Sequence, residues 1–178
     1  DGEDTASHST YRPVAVYASD VNGDGITELP RAVLMAGYKD TSSSDAVYML
    51  DWYAYGIGKV PTKVATTYQN ISDAWSLLID QKWHDRITAI KANDGGLSYV
   101  EFFEYRKNKM SIPLFNIYCA TGSNREYYAE RTDLIQLGQT TQAIYFAKLT
   151  NEGEQSELAL TGDEIKARFS LVNQAWNN

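Results

Sequence analysis

Short apolar runs, separated by clusters of glycine, asparagine, aspartate and proline, recur along the whole chain. This spacing is typical of strands joined by turns. In the first half it predicts strands over 13–17, 32–35, 45–55, 60–68 and 75–79. In the second half it predicts strands over 87–92, 97–105, 113–119, 134–137 and 143–149, with a short helix over 124–131. We therefore expect a mainly antiparallel β protein of the α+β class.

The last predicted element is an amphipathic helix. Thr161 is a suitable N-cap and Glu164 follows at the spacing of a capping box, while Leu160 and Ile165 have the spacing of a hydrophobic staple. The apolar positions at helical spacing are Ile165, Phe169, Val172 and Trp176. We expect this helix to pack on the second sheet.

The polar stretch 80–85 interrupts the apolar pattern and suggests a domain boundary. We expect a disordered tether over 1–11, a β-meander over 12–82 and an α+β domain over 83–178 that ends in the amphipathic helix. The order of elements from Trp83 onward is similar to that of PsbP-like domains, a likeness of fold from which no functional residue follows.

Oxygen-bearing side chains alternate along residues 20–28, and this stretch has the most specific chemistry in the sequence. Asp20, Asn22 and Asp24 stand at every second position, and Gly25 permits a sharp turn. A calcium ion takes six to eight oxygen ligands, which these three residues, the carbonyl of Ile26 and the carboxylate of Glu28 would supply. An Asx-rich turn without metal is the alternative interpretation.

This stretch resembles the calcium loop of FG-GAP repeats, also called VCBS-type repeats. The twelfth position is Arg31, where an EF-hand has its bidentate acid, and no amphipathic helix follows, so the stretch is not an EF-hand. In the resembling family a short loop between two strands binds the ion. The motif occurs once, so the chain would hold at most one blade-like unit of a propeller. A bound calcium ion would have a structural role.

The net charge of -7 over 178 residues argues against nucleic acid or an anionic membrane surface as the partner. There is no apolar stretch long enough to cross a membrane, and the chain begins with Asp rather than Met, as a mature product would. A polar N-terminal tether, a single cysteine and a calcium loop together resemble Gram-positive cell-surface lipoproteins. That resemblance implies an extracellular, cell-surface location, a lipid anchor upstream and an extracellular or cell-wall ligand.

Catalytic groups are scarce in the sequence. Cys119 alternates with apolar residues, which predicts a buried and inert thiol, and His84 is expected at an exposed junction. Glu101 and Glu104 are three apart in a strand and should face opposite sides, which does not suit the paired acids of a glycosidase. We therefore name no catalytic residue.

The strand over 45–55 offers a different kind of site. Its aromatic residues could form an exposed platform for a sugar or a peptide, or they could belong to the core and rim of the sheet. These residues are Tyr48, Trp52, Tyr53 and Tyr55. The resemblance and the scarcity of catalytic groups favour a calcium-stabilised binding or adhesion module, with a hydrolase of cell-wall polymers or glycans as the alternative. A structural spacer is a third possibility.

Overall fold

The chain folds into two antiparallel sheets with short helices. The structure is a computed structural model that describes residues 13–38, 45–94 and 97–172. The predicted tether over 1–11, Gly95, Gly96 and Trp176 lie outside these residues. Within them, the expectation of a mainly antiparallel β fold with a short C-terminal helix is confirmed.

The first sheet contains five strands in the order β1, β2, β3, β4 and β10, with every neighbouring pair antiparallel. Their bounds are Leu29–Leu34 (β1), Tyr48–Ala54 (β2), Thr62–Asn70 (β3), Trp75–Leu78 (β4) and Phe169–Leu171 (β10). The last strand therefore joins a sheet whose other members come from the first half of the chain.

The second sheet has the strand order β5, β6, β7, β9 and β8, again antiparallel throughout. Its strands are Ile87–Asp94 (β5), Leu97–Arg106 (β6), Lys109–Thr121 (β7), Ile135–Gln139 (β8) and Ala143–Leu149 (β9). Helix α1 spans Arg125–Ala129, helix α2 spans Gly162–Arg168, and short 3₁₀ turns cover Gln81–Trp83, Gly122–Asn124 and Gly153–Gln155.

Side chains from both sheets share a large apolar core, and Ala120, Ile144 and Phe146 form a second, smaller cluster. Tyr68 of β3 contacts Phe102 of β6 edge to face, with ring centroids 5.4 Å apart. Trp83 lies in the same core, and its indole N–H donates to the carbonyl of Leu158 at 3.1 Å. Alternation along the strands places apolar residues on this inner face, and removing them from water is the main stabilising contribution.

The C-terminal helix is shorter than predicted. The capping box is confirmed, since the Thr161 hydroxyl accepts the Glu164 backbone N–H while the Glu164 side chain accepts the Thr161 N–H. The helix ends at Arg168, however, and Phe169 begins β10. The prediction that Phe169 and Val172 continue the helical face was wrong, because this segment gains hydrogen bonds to β4, whose edge would otherwise lack partners.

Helix α2 lies beside the edge strand β8 of the second sheet. A side-chain carbon placed on Gly162 would come within 2.5 Å of Ile135 in β8, so the helix approaches that strand very closely. Ile165 is buried in the shared core.

The predicted strand over 13–17 does not form. The N–H of Val16 donates to the carbonyl of Val14 at 2.9 Å, a three-residue turn that interrupts an extended backbone. Regular pairing begins at Leu29, preceded by the isolated bridge between Ser19 and Glu28.

Candidate functional site

The oxygen-rich loop is held at its base by two backbone hydrogen bonds. Ser19 and Glu28 donate to each other's carbonyls at 3.1 and 3.0 Å. Strand β1 starts at the next residue, so the loop is anchored to the edge of the first sheet. Gly23 and Gly25 have φ angles of +77° and +84°, a region that residues with a Cβ rarely adopt. The two glycines allow the chain to reverse within the loop.

The Asp20 carboxylate organises the loop through its backbone. Its Oδ1 accepts the N–H groups of Gly23 at 2.7 Å and Asp24 at 3.1 Å, and its Oδ2 accepts the N–H of Gly25 at 2.8 Å. These bonds, the one from Gly25 first, hold the pKa of Asp20 below its ordinary value. The Asp20 side chain therefore points into the loop as an anion.

The next two predicted ligands belong to the same hydrogen-bonded turn. The Asn22 side-chain amide donates to Asp24 Oδ2 at 2.9 Å, and Asp24 Oδ1 accepts the N–H of Ile26 at 2.8 Å. The side chain of Ile26 is half exposed. The structure thus brings Asp20, Asn22 and Asp24 together, and their hydrogen bonds are those of consecutive Asx turns.

Glu28 differs from the other predicted ligands because its side chain is fully buried, with 0 % of its surface exposed. Its Oε2 accepts the N–H of Val21 at 2.9 Å, while its Oε1 has no hydrogen-bond partner among the described residues. A buried carboxylate oxygen without a partner is destabilising unless a cation or a donor reaches it. Among the predicted ligands, Glu28 is therefore the one with a buried oxygen that still lacks a hydrogen-bond donor or a cation.

The side chains that most often bind metals do not form a cluster in the described part of the chain, and this includes the loop over 20–28. Within residues 13–38, 45–94 and 97–172, no three side chains of His, Cys, Asp or Glu form a group that could hold a metal ion. The amide oxygen of Asn22 and the carbonyl of Ile26 are oxygen ligands of a type that calcium accepts, and they are not members of such a group.

A second feature lies at the same end of the first sheet as the loop. Leu29, the first residue of β1, stands opposite Tyr53 near the end of β2, so the loop and the β2–β3 hairpin emerge side by side. Of eleven large apolar side chains exposed in the described ranges, six belong to this end. We call this set the apolar end: Ile26, Leu29, Tyr55, Ile57, Val60 and Val64.

The aromatic platform expected on β2 does not form as one surface. Trp52 is 1 % exposed, and its indole N–H donates to the Thr67 hydroxyl at 2.8 Å, so it belongs to the interior. Tyr48 and Tyr53 are half-buried and lie on opposite faces because their positions differ by an odd number. Tyr55 alone of the four is mainly exposed. Sequence reasoning missed the neighbouring aliphatic residues of the hairpin.

Cys119 is buried, as predicted. It is 3 % exposed and shares the core with Phe115 and Ile117. Burial, together with the charge of Asp73, raises the pKa of its thiol to about 11. A thiol with this pKa is protonated at neutral pH and is a poor nucleophile.

Glu104 is also buried, and it lies in an ion-pair network that the sequence did not suggest. Its carboxylate accepts hydrogen bonds from the guanidinium groups of Arg86 and Arg106 and, at 2.7 Å, from the Ser156 hydroxyl. Burial by itself would raise its pKa, but the bonds from Arg106, Ser156 and Arg86 outweigh it and lower the pKa. Glu101 instead accepts a long bond from Asn116 at 3.4 Å. The two acids have separate partners.

Two clefts in the described part of the chain are lined by neutral and basic residues. The first, of about 580 Å³, is lined by Thr121, Gly122, Ser123, Arg125, Thr141 and Gln142. The second, of about 300 Å³, lies where residues 13–15 meet β2, β3 and Lys91. Neither lining includes an aspartate or a glutamate.

Comparison with protein families, curated proteins and solved structures supplies no function for this chain. No protein-family model, no curated protein and no solved structure matches it. No helix in the described ranges is long and apolar enough to cross a membrane. The function must therefore be inferred from the loop and the apolar end themselves.

Proposed function

We propose that this chain is a calcium-stabilised binding or adhesion module of an exported cell-surface protein. Calcium is held by Asp20, Asn22, Asp24, the carbonyl of Ile26 and Glu28, and an N-terminal β-meander over 12–82 carries the loop. The partner is an extracellular or cell-wall ligand, and an upstream lipid anchor retains the protein at the surface. The observation that carries the calcium assignment is the buried Oε1 of Glu28, which has no partner among the described residues, while Oε2 of the same carboxylate accepts the Val21 N–H in the loop.

The ligand chemistry fits a hard divalent cation. Calcium prefers carboxylate, amide and carbonyl oxygens, which are the groups available in this loop. The Asp20 and Asp24 oxygens accept backbone N–H groups in the structure, so binding requires the loop to exchange some of these bonds for the ion or to use the remaining lone pairs. A bound ion would offset the charge of three carboxylates and hold the loop in one conformation.

A binding role is supported by the position of the apolar end. Six exposed large apolar side chains, concentrated beside the loop, form the kind of surface that interaction sites use. Calcium that stabilises the loop would also keep Ile26 and Leu29 in place within this surface. In this proposal the ion is structural and the apolar end makes the contact.

The calcium assignment is tested by thermal unfolding in EDTA and in millimolar calcium. We expect calcium to raise the melting temperature of the native protein and to have little effect on Asp24→Ala. Asp24→Asn keeps an oxygen that can accept the Ile26 N–H, so it separates loss of charge from loss of the turn.

Asp94→Ala is the matched control, because Asp94 is an exposed aspartate at the end of β5. It should show the full calcium effect. Equal calcium effects in the native protein and Asp24→Ala, or no effect in either, would overturn the assignment of the loop as a calcium site.

A further inference from the structure

The β2–β3 hairpin has an unusual tip. Turn residues are ordinarily polar, whereas here Ile57 is fully exposed, Val60 is 86 % exposed and Tyr55 is 57 % exposed. Three large apolar side chains thus project from one short connection between strands.

The tip is a defined turn that presents Ile57 at its apex. The N–H of Lys59 donates to the carbonyl of Gly56 at 3.1 Å, which closes the turn. Gly58 has a φ of +69°, as a type II turn requires at its third residue. The stem of Lys59 runs over Gly56, since a Cβ placed there would lie 3.2 Å from Lys59 Cδ. The backbone conformation of the turn therefore keeps Ile57 exposed.

The charge of the hairpin is opposite to that of the whole chain. Residues 53–64 contain Lys59 and Lys63 and no acidic residue, although the net charge of the chain is -7. Lys63 is paired with Asp51 at 3.3 Å. Lys59 has no ion pair among the described residues. The tip therefore combines exposed apolar side chains with one uncompensated cation.

We propose that this hairpin tip docks into the surface of a phospholipid bilayer. Exposed apolar side chains at the apex of a turn can insert into a lipid bilayer, and here Ile57 and Val60 insert below the headgroups. Tyr55 has the ring and hydroxyl that favour the boundary between acyl chains and water. The ammonium group of Lys59 then lies at the level of the lipid phosphates, with its stem along the apolar surface. Charge complementarity between Lys59 and phosphate selects a bilayer over an uncharged apolar groove.

This inference deepens the proposed binding role by naming a partner for the apolar end. The exposed acids Asp20 and Asp24 emerge beside the hairpin and would be repelled by the same phosphates. Calcium bound in the loop offsets that repulsion. Bilayer binding should therefore be stronger in calcium than in EDTA.

The test is co-sedimentation of the whole chain with phosphatidylcholine vesicles, in calcium and in EDTA. We expect Ile57→Asp to reduce the partition coefficient by about tenfold or more, because it places a charge in the inserted tip. Met110→Asp is the matched control, since Met110 is an exposed apolar residue beside the lysine-rich β6–β7 turn. It should bind vesicles as the native protein does.

A second measurement reports insertion directly. Cys119 is buried, so a cysteine at position 57 in Ile57→Cys can be labelled selectively with an environment-sensitive fluorophore. Vesicles should shift its emission to shorter wavelength. No partition of the native protein, or equal partition of Ile57→Asp, would overturn the proposal. An association that grows with protein concentration and is lost in Ile57→Asp, without vesicle binding, would replace the bilayer with a second copy of the chain.

The vesicle and calcium experiments test the two proposals independently. A calcium-dependent rise in melting temperature without vesicle binding would leave the calcium loop in place and overturn the bilayer proposal alone. Vesicle binding that depends on Ile57, with no calcium effect on melting, would leave the bilayer proposal in place and overturn the calcium assignment.

Discussion

Replacing Glu28 by glutamine is expected to affect stability differently with and without calcium. In the structure the Glu28 side chain is fully buried, Oε2 accepts the Val21 N–H and Oε1 has no partner among the described residues. Without an ion, this carboxylate is a buried charge that is only partly compensated. Glutamine has nearly the same shape and keeps an oxygen for the Val21 N–H, so the substitution changes charge more than packing.

The size of the effect in EDTA follows from two opposing contributions. An uncompensated buried charge costs about 3–5 kcal/mol. The glutamine amide introduces N–H donors that find no evident acceptor, which costs about 1–3 kcal/mol. The difference is about 2 kcal/mol at the centre of these two ranges, so we expect Glu28→Gln to be more stable than the native protein by about this amount in EDTA. For a chain of this length, each 1 kcal/mol corresponds to about 2–4 °C in melting temperature.

In calcium the advantage should be lost, because an ion held as proposed would stabilise the native protein and not the variant. At a calcium concentration about 100-fold above the dissociation constant, binding adds about 2.7 kcal/mol to the free energy of unfolding. For a site with a dissociation constant of about 0.1 mM, this requires about 10 mM calcium. A neutral amide is a weaker calcium ligand than a carboxylate, so the calcium increment of Glu28→Gln should be small.

The assay is urea unfolding followed by circular dichroism, in EDTA and in calcium. Glu152→Gln is the control, since Glu152 is an exposed glutamate in the turn after β9. It should show the native calcium increment. If Glu28→Gln were less stable than the native protein in EDTA, other groups of the protein would already compensate the Glu28 charge without an ion. An unchanged calcium increment would show that Glu28 is not a ligand.

Two further predictions concern buried groups outside the loop. The folded-state pKa of Glu104 is lowered, so its contribution to stability is present above its unfolded pKa and is lost as the pH falls through the folded pKa. Glu104→Gln should therefore lower the free energy of unfolding by about 1.5–3 kcal/mol at pH 7, because Arg86 and Arg106 stay partly exposed to water, and by less at pH 3, measured in urea; equal losses at both pH values would contradict the network. The Cys119 thiol, with its pKa raised to about 11, should not react with Ellman's reagent in the native protein at pH 8 but should react fully in urea; rapid reaction of the folded protein would show that the thiol is accessible.

The positions of most strands could be predicted from local pattern, because alternation and turn residues act over a few neighbouring positions. The separate strands predicted over 87–92 and 97–105 correspond to β5 and β6, which pair with Asp94 opposite Leu97. The capping box at Thr161 was predicted for the same reason, since both partners lie within one helical turn. The end of that helix was not predicted correctly. Residues 169–171 pair as β10 with β4, a strand about ninety positions earlier, and the local sequence does not reveal so distant a partner.

At the candidate site, too, some features could be predicted from the local sequence and others depend on the tertiary structure. The alternation of Asp20, Asn22 and Asp24 before Gly25 determines an oxygen-rich turn, and the hydrogen bonds inside it join residues at most five positions apart. The buried state of Glu28 was not visible in the sequence, because a glutamate next to a leucine is ordinarily exposed. The tertiary structure buries it and leaves one oxygen without a partner.

By itself, the sequence determined a mainly antiparallel β protein and an oxygen-rich turn over residues 20–28. The tertiary structure decided which polar groups are buried, which apolar groups are exposed and which distant segments meet. Trp52 was a candidate ligand platform in the sequence and is interior in the fold, while Ile57 gave no signal and stands at the apex of an exposed turn. Burial depends on what packs against a residue from elsewhere in the chain, and a pattern of neighbouring residues does not contain that information.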